Sequence, residues 1–143
     1  LLGLRRFQPG YFARAHLAQN VSAVTTACAV VRRDAYMQIG GFNEDLAVAF
    51  NDVDFCLRLR EAGYWIVWTP HAEMIHHESA SRGFDESTPK QVRFLAEADY
   101  MKSKWGDKLQ RDPFYNPNLS LDENLFTLAF PPRTTKPWQS FAD

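Results

Sequence analysis

The sequence lacks the short motifs that identify many enzyme classes. It has no GxGxxG or Walker A loop, which excludes the common dinucleotide and P-loop phosphate sites. It has no CxxC or HExxH spacing, which excludes the usual zinc sites, and no GxSxG turn to present a hydrolase serine. The residue patterns alone therefore leave the function open.

The sequence also lacks a strong net charge and long apolar runs. The 143 residues carry a net charge of −1, which gives no electrostatic reason to expect nucleic acid or an anionic membrane as a partner. No apolar run approaches the ~20 residues that cross a bilayer, so we expect no transmembrane segment. The two cysteines, Cys28 and Cys56, lie in apolar patterns that predict buried free thiols in a reducing compartment, with a single disulfide as the alternative.

The local patterns alternate between strands and helices. Small and β-branched residues over 21–31 predict a buried strand. Favoured capping residues predict helices that begin after Asp34 and at Asn51, and glycines predict where both end. The remaining predicted elements are strands over 65–69 and 73–77, a helix over 88–105 that stops at Gly106, and an inward stripe of Val53, Cys56, Leu57 and Arg60 on the second helix.

The two ends of the chain differ in composition. Residues 1–106 hold all the predicted elements and are expected to form one folded unit. Residues 107–143 contain Pro113, Pro117, Pro131, Pro132 and Pro137 with little periodicity, which predicts an extended proline-containing arm.

Two acids lie at the start of the second predicted helix. Asp52 and Asp54 are two residues apart, so they point about 200° away from each other and cannot act as a pair on one face. A carboxylate at a helix end beside a cleft can accept a proton from a sugar hydroxyl. The alternative is that both acids only interact with the positive end of the helix dipole.

A polar segment follows the predicted strand over 73–77. His76 and His77 are adjacent on a strand, so only one of them can enter any given cleft, and a hydrogen-bonded structural histidine is the alternative to a metal ligand. Arg82 in the following loop could bind a diphosphate in bidentate fashion, or it could simply be solvated.

A set of segments follows in a fixed order along the chain: Val24–Arg33, Gly40–Phe42, Asn51–Arg58, Ala62–Tyr64, Pro70, His76–Gly83 and Asp112–Ser120. In this order they resemble the C-terminal half of glycosyltransferase family 2, and a subgroup that acts on bacterial surface polysaccharides.

The resemblance implies an α/β fold. The chain would be the C-terminal part of a GT-A (Rossmann-like) nucleotide-sugar transferase domain, with a mixed sheet flanked by helices and an extended C-terminal arm. The partners implied are a nucleotide-diphosphate sugar donor and a saccharide or lipid-linked saccharide acceptor. The implied location is the cytoplasm, at the inner face of the bacterial membrane.

The resemblance also assigns roles to individual residues. Asp52 would be the general base of an inverting displacement, although many members have Glu-Asp where this chain has Asn51-Asp52. Gly41 and Phe42 would border the acceptor site, and Asp54 would orient the helix or contact the acceptor. His76 would be a ligand of a divalent metal, Mn or Mg. Arg82 is the candidate for binding the diphosphate.

One part of the family pattern is absent from the sequence. The nucleotide-binding N-terminal strands are missing. Their Asp-x-Asp metal motif is missing as well, because the acids at 44–45 and 51–54 are already matched to other features of the family. We therefore expect this chain to be the acceptor-side half, 1–106, followed by the arm, 107–143. Alone it should be inactive, and apolar surface left by the missing half should promote self-association.

Two other functions compete with this one. A non-catalytic module derived from a transferase could bind saccharide or a protein partner. A metal-dependent phosphohydrolase could use Asp52, Asp54, His76 and His77, but it needs further carboxylate ligands that the sequence does not offer in a recognisable pattern.

Overall fold

The structure is a computed structural model that describes residues 7–74, 88–122 and 126–134. The α-helices are α1 (Arg33–Gln38), α2 (Asn51–Glu61) and α3 (Thr88–Gln110). The strands β1 (Gln19–Asn20) and β2 (Val67–Trp68) form an antiparallel pair, and 3₁₀ helices occupy Tyr11–His16 and Thr26–Cys28. No helix within these ranges combines the length and apolar character needed to span a bilayer.

The chain divides into two compact units, Leu1–Gly106 and Asp107–Asp143. The division falls within α3, at Gly106, whose backbone angles are not helical. The helical backbone is interrupted at Gly106, where the sequence predicts the helix to stop, and a further helical segment follows as far as Gln110.

The core of the first unit lies between α1, α2 and the segments beside the small sheet. Partly buried residues of 21–24 and 36–39 pack against this core, together with Tyr64. Its buried members are Ala35, Phe55, Cys56, Leu59 and Ile66. The buried face of α2 is broader than the predicted stripe: Cys56 and Leu57 are buried as expected, but Asp54, Phe55 and Leu59 are buried as well.

The predicted strand over 21–31 is wrong. Only Val21 extends the pairing of the small sheet, by donating its N–H to the Ile66 carbonyl at 3.0 Å. The Thr25 hydroxyl then accepts the Ala27 N–H at 3.3 Å, and this local bond favours a 3₁₀ turn over a strand. Val30 is fully exposed and Cys28 is an exposed free thiol, so the apolar pattern here does not mark a core strand.

Both predicted caps are also wrong by one or two positions. Arg32, not Asp34, is the N-cap of α1, and Asp34 lies in the first turn, where it pairs with Arg32. Phe50, not Asn51, is the N-cap of α2. The predicted strand over 65–69 shortens to Val67–Trp68, while Glu73 and Met74 are not in a strand and 75–77 lie outside the described residues.

The glycine helix ends are confirmed. After α1, Gly40 and Gly41 have φ values of 77° and 73°, and their N–H groups bond to the carbonyls of Met37 and Tyr36. After α2, Gly63 has a φ of 88° and, with Tyr64, repeats the same bonding pattern. These are Schellman ends, in which a left-handed glycine lets two backbone donors return to the last turn.

The second unit has its own packing. An isolated antiparallel bridge joins Leu119 to Leu128, and the Tyr115 hydroxyl donates to the Ser120 carbonyl at 2.6 Å. The Arg133 side chain donates to the Leu119 carbonyl at 2.8 Å. Over its described residues the segment predicted as an extended arm is thus folded back on itself.

Candidate functional site

The candidate site is built around the first turn of α2. Phe50, the residue before the helix, has left-handed backbone angles, φ 60° and ψ 2°. This conformation is uncommon for a bulky side chain and persists only where the surroundings hold it. Asn51 and Asp52 follow directly, so the direction of the Asp52 carboxylate depends on how this junction is held.

Asp52 is half-buried at this position. Its Oδ1 accepts the N–H of Val53 at 2.8 Å. Cys56 lies one turn later and donates its thiol to the Val24 carbonyl at 3.7 Å. Burial raises the pKa of the Cys56 thiol, and the negative charge of Asp52 raises it further, so this cysteine is not a nucleophile at neutral pH.

Asp54 is placed quite differently. Its side chain has no exposed surface, and it accepts hydrogen bonds from Arg58 Nε at 2.7 Å and from Lys104 Nζ and Trp105 Nε1 at 2.9 Å each. Burial alone would raise the pKa of this carboxyl, but the three donors outweigh it and hold the pKa below its usual value. These contacts fit a residue that orients α2, the first of the two roles expected for it.

Gly41 and Phe42 follow the end of α1, and Phe42 packs against the buried face of α2. The Phe42 ring stacks on the Phe55 ring with centroids 4.5 Å apart, and Tyr36 packs edge-on to Phe42. Phe42 is 39% exposed, so it presents part of an aromatic face to solvent. Gly41 is buried beneath the Tyr36 ring. A partly exposed aromatic face of this kind suits contact with a sugar ring.

Residues of α3 that the sequence reasoning missed complete this region. Both carboxylate oxygens of Glu97 accept backbone N–H groups of the loop before α2, from Val48 at 3.3 Å and Ala49 at 2.5 Å. Asn43 donates to the Tyr100 hydroxyl at 2.8 Å. Glu97, Met101 and Trp105 are each four residues apart and are buried. That helical spacing was a signal in the sequence that α3 has a buried face, but it could not show which loop the face would meet.

Two expected site residues, His76 and Arg82, lie outside the described residues. Within the ranges that are described, no group of three or more His, Cys, Asp or Glu side chains could hold a metal ion. Asp52 alone is too few ligands for a divalent cation, which usually takes six or more oxygen donors. The described part of the site therefore does not itself form the expected metal centre.

Comparison with known proteins gives the family. The model of glycosyl transferase family group 2 matches residues 11–111. An uncharacterised protein, y4gI, of Sinorhizobium fredii is 54% identical over 123 residues, which cover 85% of this chain and 14% of that protein. The O-antigen biosynthesis protein RfbC of Myxococcus xanthus is 40% identical over 111 residues, covering 77% of this chain and 8% of the relative.

A shorter match involves a Mycobacterium tuberculosis enzyme named N-acetylglucosaminyl-diphospho-decaprenol L-rhamnosyltransferase. It is 40% identical over 68 residues, which are 48% of this chain and 22% of the enzyme. The chain thus spans only 8% to 22% of the lengths of these relatives. No solved structure matches it significantly. The resemblance inferred from the sequence is confirmed, and the chain belongs to glycosyl transferase family group 2.

Proposed function

We propose that this chain supplies the acceptor side of an inverting glycosyltransferase. The enzyme would move a sugar from a nucleotide-diphosphate donor to a hydroxyl of a saccharide or lipid-linked saccharide, in the synthesis of a bacterial cell-surface polysaccharide. The names of two relatives, an O-antigen biosynthesis protein and a rhamnosyltransferase, support this substrate class. The proposed location is the cytoplasmic face of the membrane.

The observation that carries the proposal is the contrast between the two acids of α2. Asp54 is fully buried and is occupied by three donors, so it is not available to a substrate. Asp52 is half-buried, and among the described residues the one hydrogen bond that its carboxylate accepts is from the Val53 N–H to Oδ1, so that within this part of the chain Oδ2 is left to meet a hydroxyl. Of the two acids, only Asp52 has the placement that a general base requires.

The mechanism is a single displacement. Asp52 accepts the proton of the acceptor hydroxyl as its oxygen attacks the anomeric carbon of the donor. The new carbon–oxygen bond forms on the face opposite the diphosphate, whose bond to the sugar breaks, so the configuration inverts. The exposed face of Phe42 would contact the acceptor ring, while Asp54 keeps α2 in place.

The diphosphate end of the reaction is proposed from the resemblance alone. His76 and Arg82 would hold a divalent metal, Mn or Mg, and the diphosphate respectively. The metal would neutralise charge on the leaving diphosphate. We also propose that the chain alone has no turnover, and that its exposed apolar side chains, among them Val30 and Trp65, favour self-association.

A chimera tests the role of Asp52. Residues 11–111 of this chain replace the equivalent part of the M. tuberculosis rhamnosyltransferase, and transfer of L-rhamnose is measured. We expect transfer by the chimera and a fall in kcat of about 100-fold or more with Asp52→Asn, since removal of a general base has that effect. Asp45→Asn, at an exposed acid of the preceding loop, is the matched control and should leave kcat unchanged.

The outcomes separate the candidate functions. A chimera with Asp52→Asn that is as active as its parent would refute Asp52 as the base. A well-folded chimera without any transfer would favour the non-catalytic, saccharide-binding alternative. Release of nucleotide by this chain alone, when it is given UDP-glucose, GDP-mannose or dTDP-rhamnose with Mn²⁺, would overturn the proposal that it is only the acceptor side.

A further inference from the structure

A buried carboxylate on α3 bonds to the loop that leads into α2. Glu97 is 5% exposed, and its two oxygens accept the N–H groups of consecutive residues, Val48 and Ala49. Arg93, one turn earlier on the same helix, has its Nε 3.9 Å from Glu97 Oε1. A carboxylate is buried at a cost unless charged or polar donors compensate it, and here a loop backbone supplies them.

The same helix also holds the next residue of the loop. The Phe50 ring packs against the ring of Phe94, with centroids 5.3 Å apart. Phe50 is the left-handed residue at which the chain turns into α2. Three consecutive residues, 48–50, are therefore fixed by contacts with α3, and the conformation at the third is one that a bulky residue does not adopt unaided.

Asp52 is the third residue after Ala49, so the loop and the carboxylate are mechanically linked. A change in the backbone angles at Phe50 rotates the first turn of α2, and Asp52 belongs to that turn. The far side of the junction is held separately, because Asp54 bonds to Lys104 and Trp105 of α3. Asp52 thus lies, along the chain, between residues 48–50 and Asp54, and both of these parts are held by contacts with α3.

We propose that Glu97 is a positioning residue for Asp52. It acts through the N–H groups of Val48 and Ala49, which set the left-handed turn at Phe50 and with it the direction of the Asp52 carboxylate. The significance of this for sugar transfer rests on the proposed function, but the positioning itself is a property of the fold and can be measured without turnover.

The test uses the full chain, isotope-labelled, with Glu97→Gln and Asp99→Asn. Glutamine keeps the shape of the side chain but offers only one acceptor oxygen, so one of the two loop bonds is lost. Asp99 is on the same helix, is exposed and pairs with Lys102, which makes it the matched control. Hydrogen exchange of individual amides and the ¹³C signal of the Asp52 carboxyl are measured by NMR.

We expect Glu97→Gln to accelerate exchange of the Val48 or Ala49 amide at least tenfold and to shift the Asp52 carboxyl signal by more than its line width. Asp99→Asn should change neither. If Glu97→Gln lowers Tm but leaves the Asp52 signal in place, Glu97 only stabilises the loop and the proposal is refuted. Should Glu97→Gln fail to fold, Glu97→Asp must give the same shift, and its absence there overturns the proposal equally.

The chimera gives a second readout that distinguishes this proposal from the proposed function. Glu97→Gln should lower kcat about tenfold and leave the KM for the donor unchanged, since a misdirected base affects the chemical step and not donor binding. An active chimera that tolerates Asp52→Asn would refute the proposed function while leaving the NMR result on Glu97 intact. A chimera whose kcat is insensitive to Glu97→Gln but sensitive to Asp52→Asn would refute the positioning role alone.

Discussion

Gly41 and Gly63 lie at the ends of α1 and α2 with similar backbone angles but differ in their surroundings. Both have positive φ values, 73° and 88°, which a residue with a Cβ adopts at a cost. A Cβ on Gly41 would lie 2.7 Å from the Tyr36 hydroxyl oxygen and 2.9 Å from its ring, whereas a Cβ on Gly63 would meet nothing within 4 Å. The two positions therefore separate backbone strain from steric conflict.

Alanine at these positions should give two distinct losses of stability. We expect Gly63→Ala to lower the free energy of unfolding by about 1 kcal/mol, from the left-handed backbone alone. Gly41→Ala should lower it by about 2 to 4 kcal/mol, because the Tyr36 ring must also move away from Phe42 and Phe55. Urea unfolding of the three proteins measures both values. Equal losses in the free energy of unfolding at the two glycines would show that the Tyr36 ring moves aside without a measurable cost in stability.

At the residue scale, the sequence predicted what is local and missed what is distant. The glycines after α1 and α2 are confirmed because a left-handed helix end is favoured by glycine wherever it occurs. Two of the three partners of Asp54, Lys104 and Trp105, lie 50 and 51 residues further along the chain, and no local pattern could indicate them. Phe50 was missed as an N-cap because tertiary contact with Phe94, not intrinsic preference, holds it.

At the scale of elements, α3 packs one face on the region around α2 and leaves another face open. Met101 is 3% exposed on the face that also carries Glu97 and Trp105. Leu95 is 61% exposed on the same helix. Truncation of each side chain therefore compares the contribution of the packed face of α3 to stability with that of its exposed face.

Truncation of the two side chains should have very different effects. Met101→Ala should lower the free energy of unfolding by about 2 to 4 kcal/mol, because it removes buried methylene groups and leaves a cavity. Leu95→Ala should change it by no more than about 0.5 kcal/mol, since the side chain is exposed. Thermal or urea unfolding checks both. A large loss for Leu95→Ala would show that this face is covered in solution, for example by a second copy of the chain.

Element prediction succeeded where a helix has strong ends and failed where a strand needed a partner. The helices α2 and α3 were predicted with small errors, because their turns form within a continuous stretch of chain. The strand over 21–31 was wrong because strands depend on pairing, and of these residues only Val21 continues the pairing of Gln19–Asn20 with Val67–Trp68. An apolar run with exposed members such as Val30 does not by itself specify a sheet.

At the scale of the whole molecule, a buried ionic cluster should make stability depend on pH. Burial alone would raise the pKa of Asp54, but hydrogen bonds from Lys104, Trp105 and Arg58 lower it below its usual 3.8. Burial alone would lower the pKa of Lys104, but its bond to Asp54 raises the pKa above its usual 10.5. Each shift means that the folded state favours the charged form of its group.

The signs of these shifts define two pH limits. The contribution of Asp54 is fully present above the unfolded pKa near 3.8 and is lost as the pH falls through the lower folded value. The contribution of Lys104 is fully present below the unfolded pKa near 10.5 and is lost as the pH rises through the higher folded value. Between these limits the cluster contributes a constant amount.

Asp54→Asn tests the acidic limit. At pH 7 the variant should be about 3 kcal/mol less stable than the wild type, because Lys104 and Arg58 lose a buried counter-charge. Below about pH 4 the difference in the free energy of unfolding should narrow. The wild type then also loses the charge of Asp54, which the variant lacks at every pH. Urea unfolding at pH 7, 5 and 3 measures this, with Asp99→Asn as the exposed control that stays close to the wild type throughout. A gap that is as wide at pH 3 as at pH 7 would mean that Asp54 stabilises the fold through its shape and not its charge.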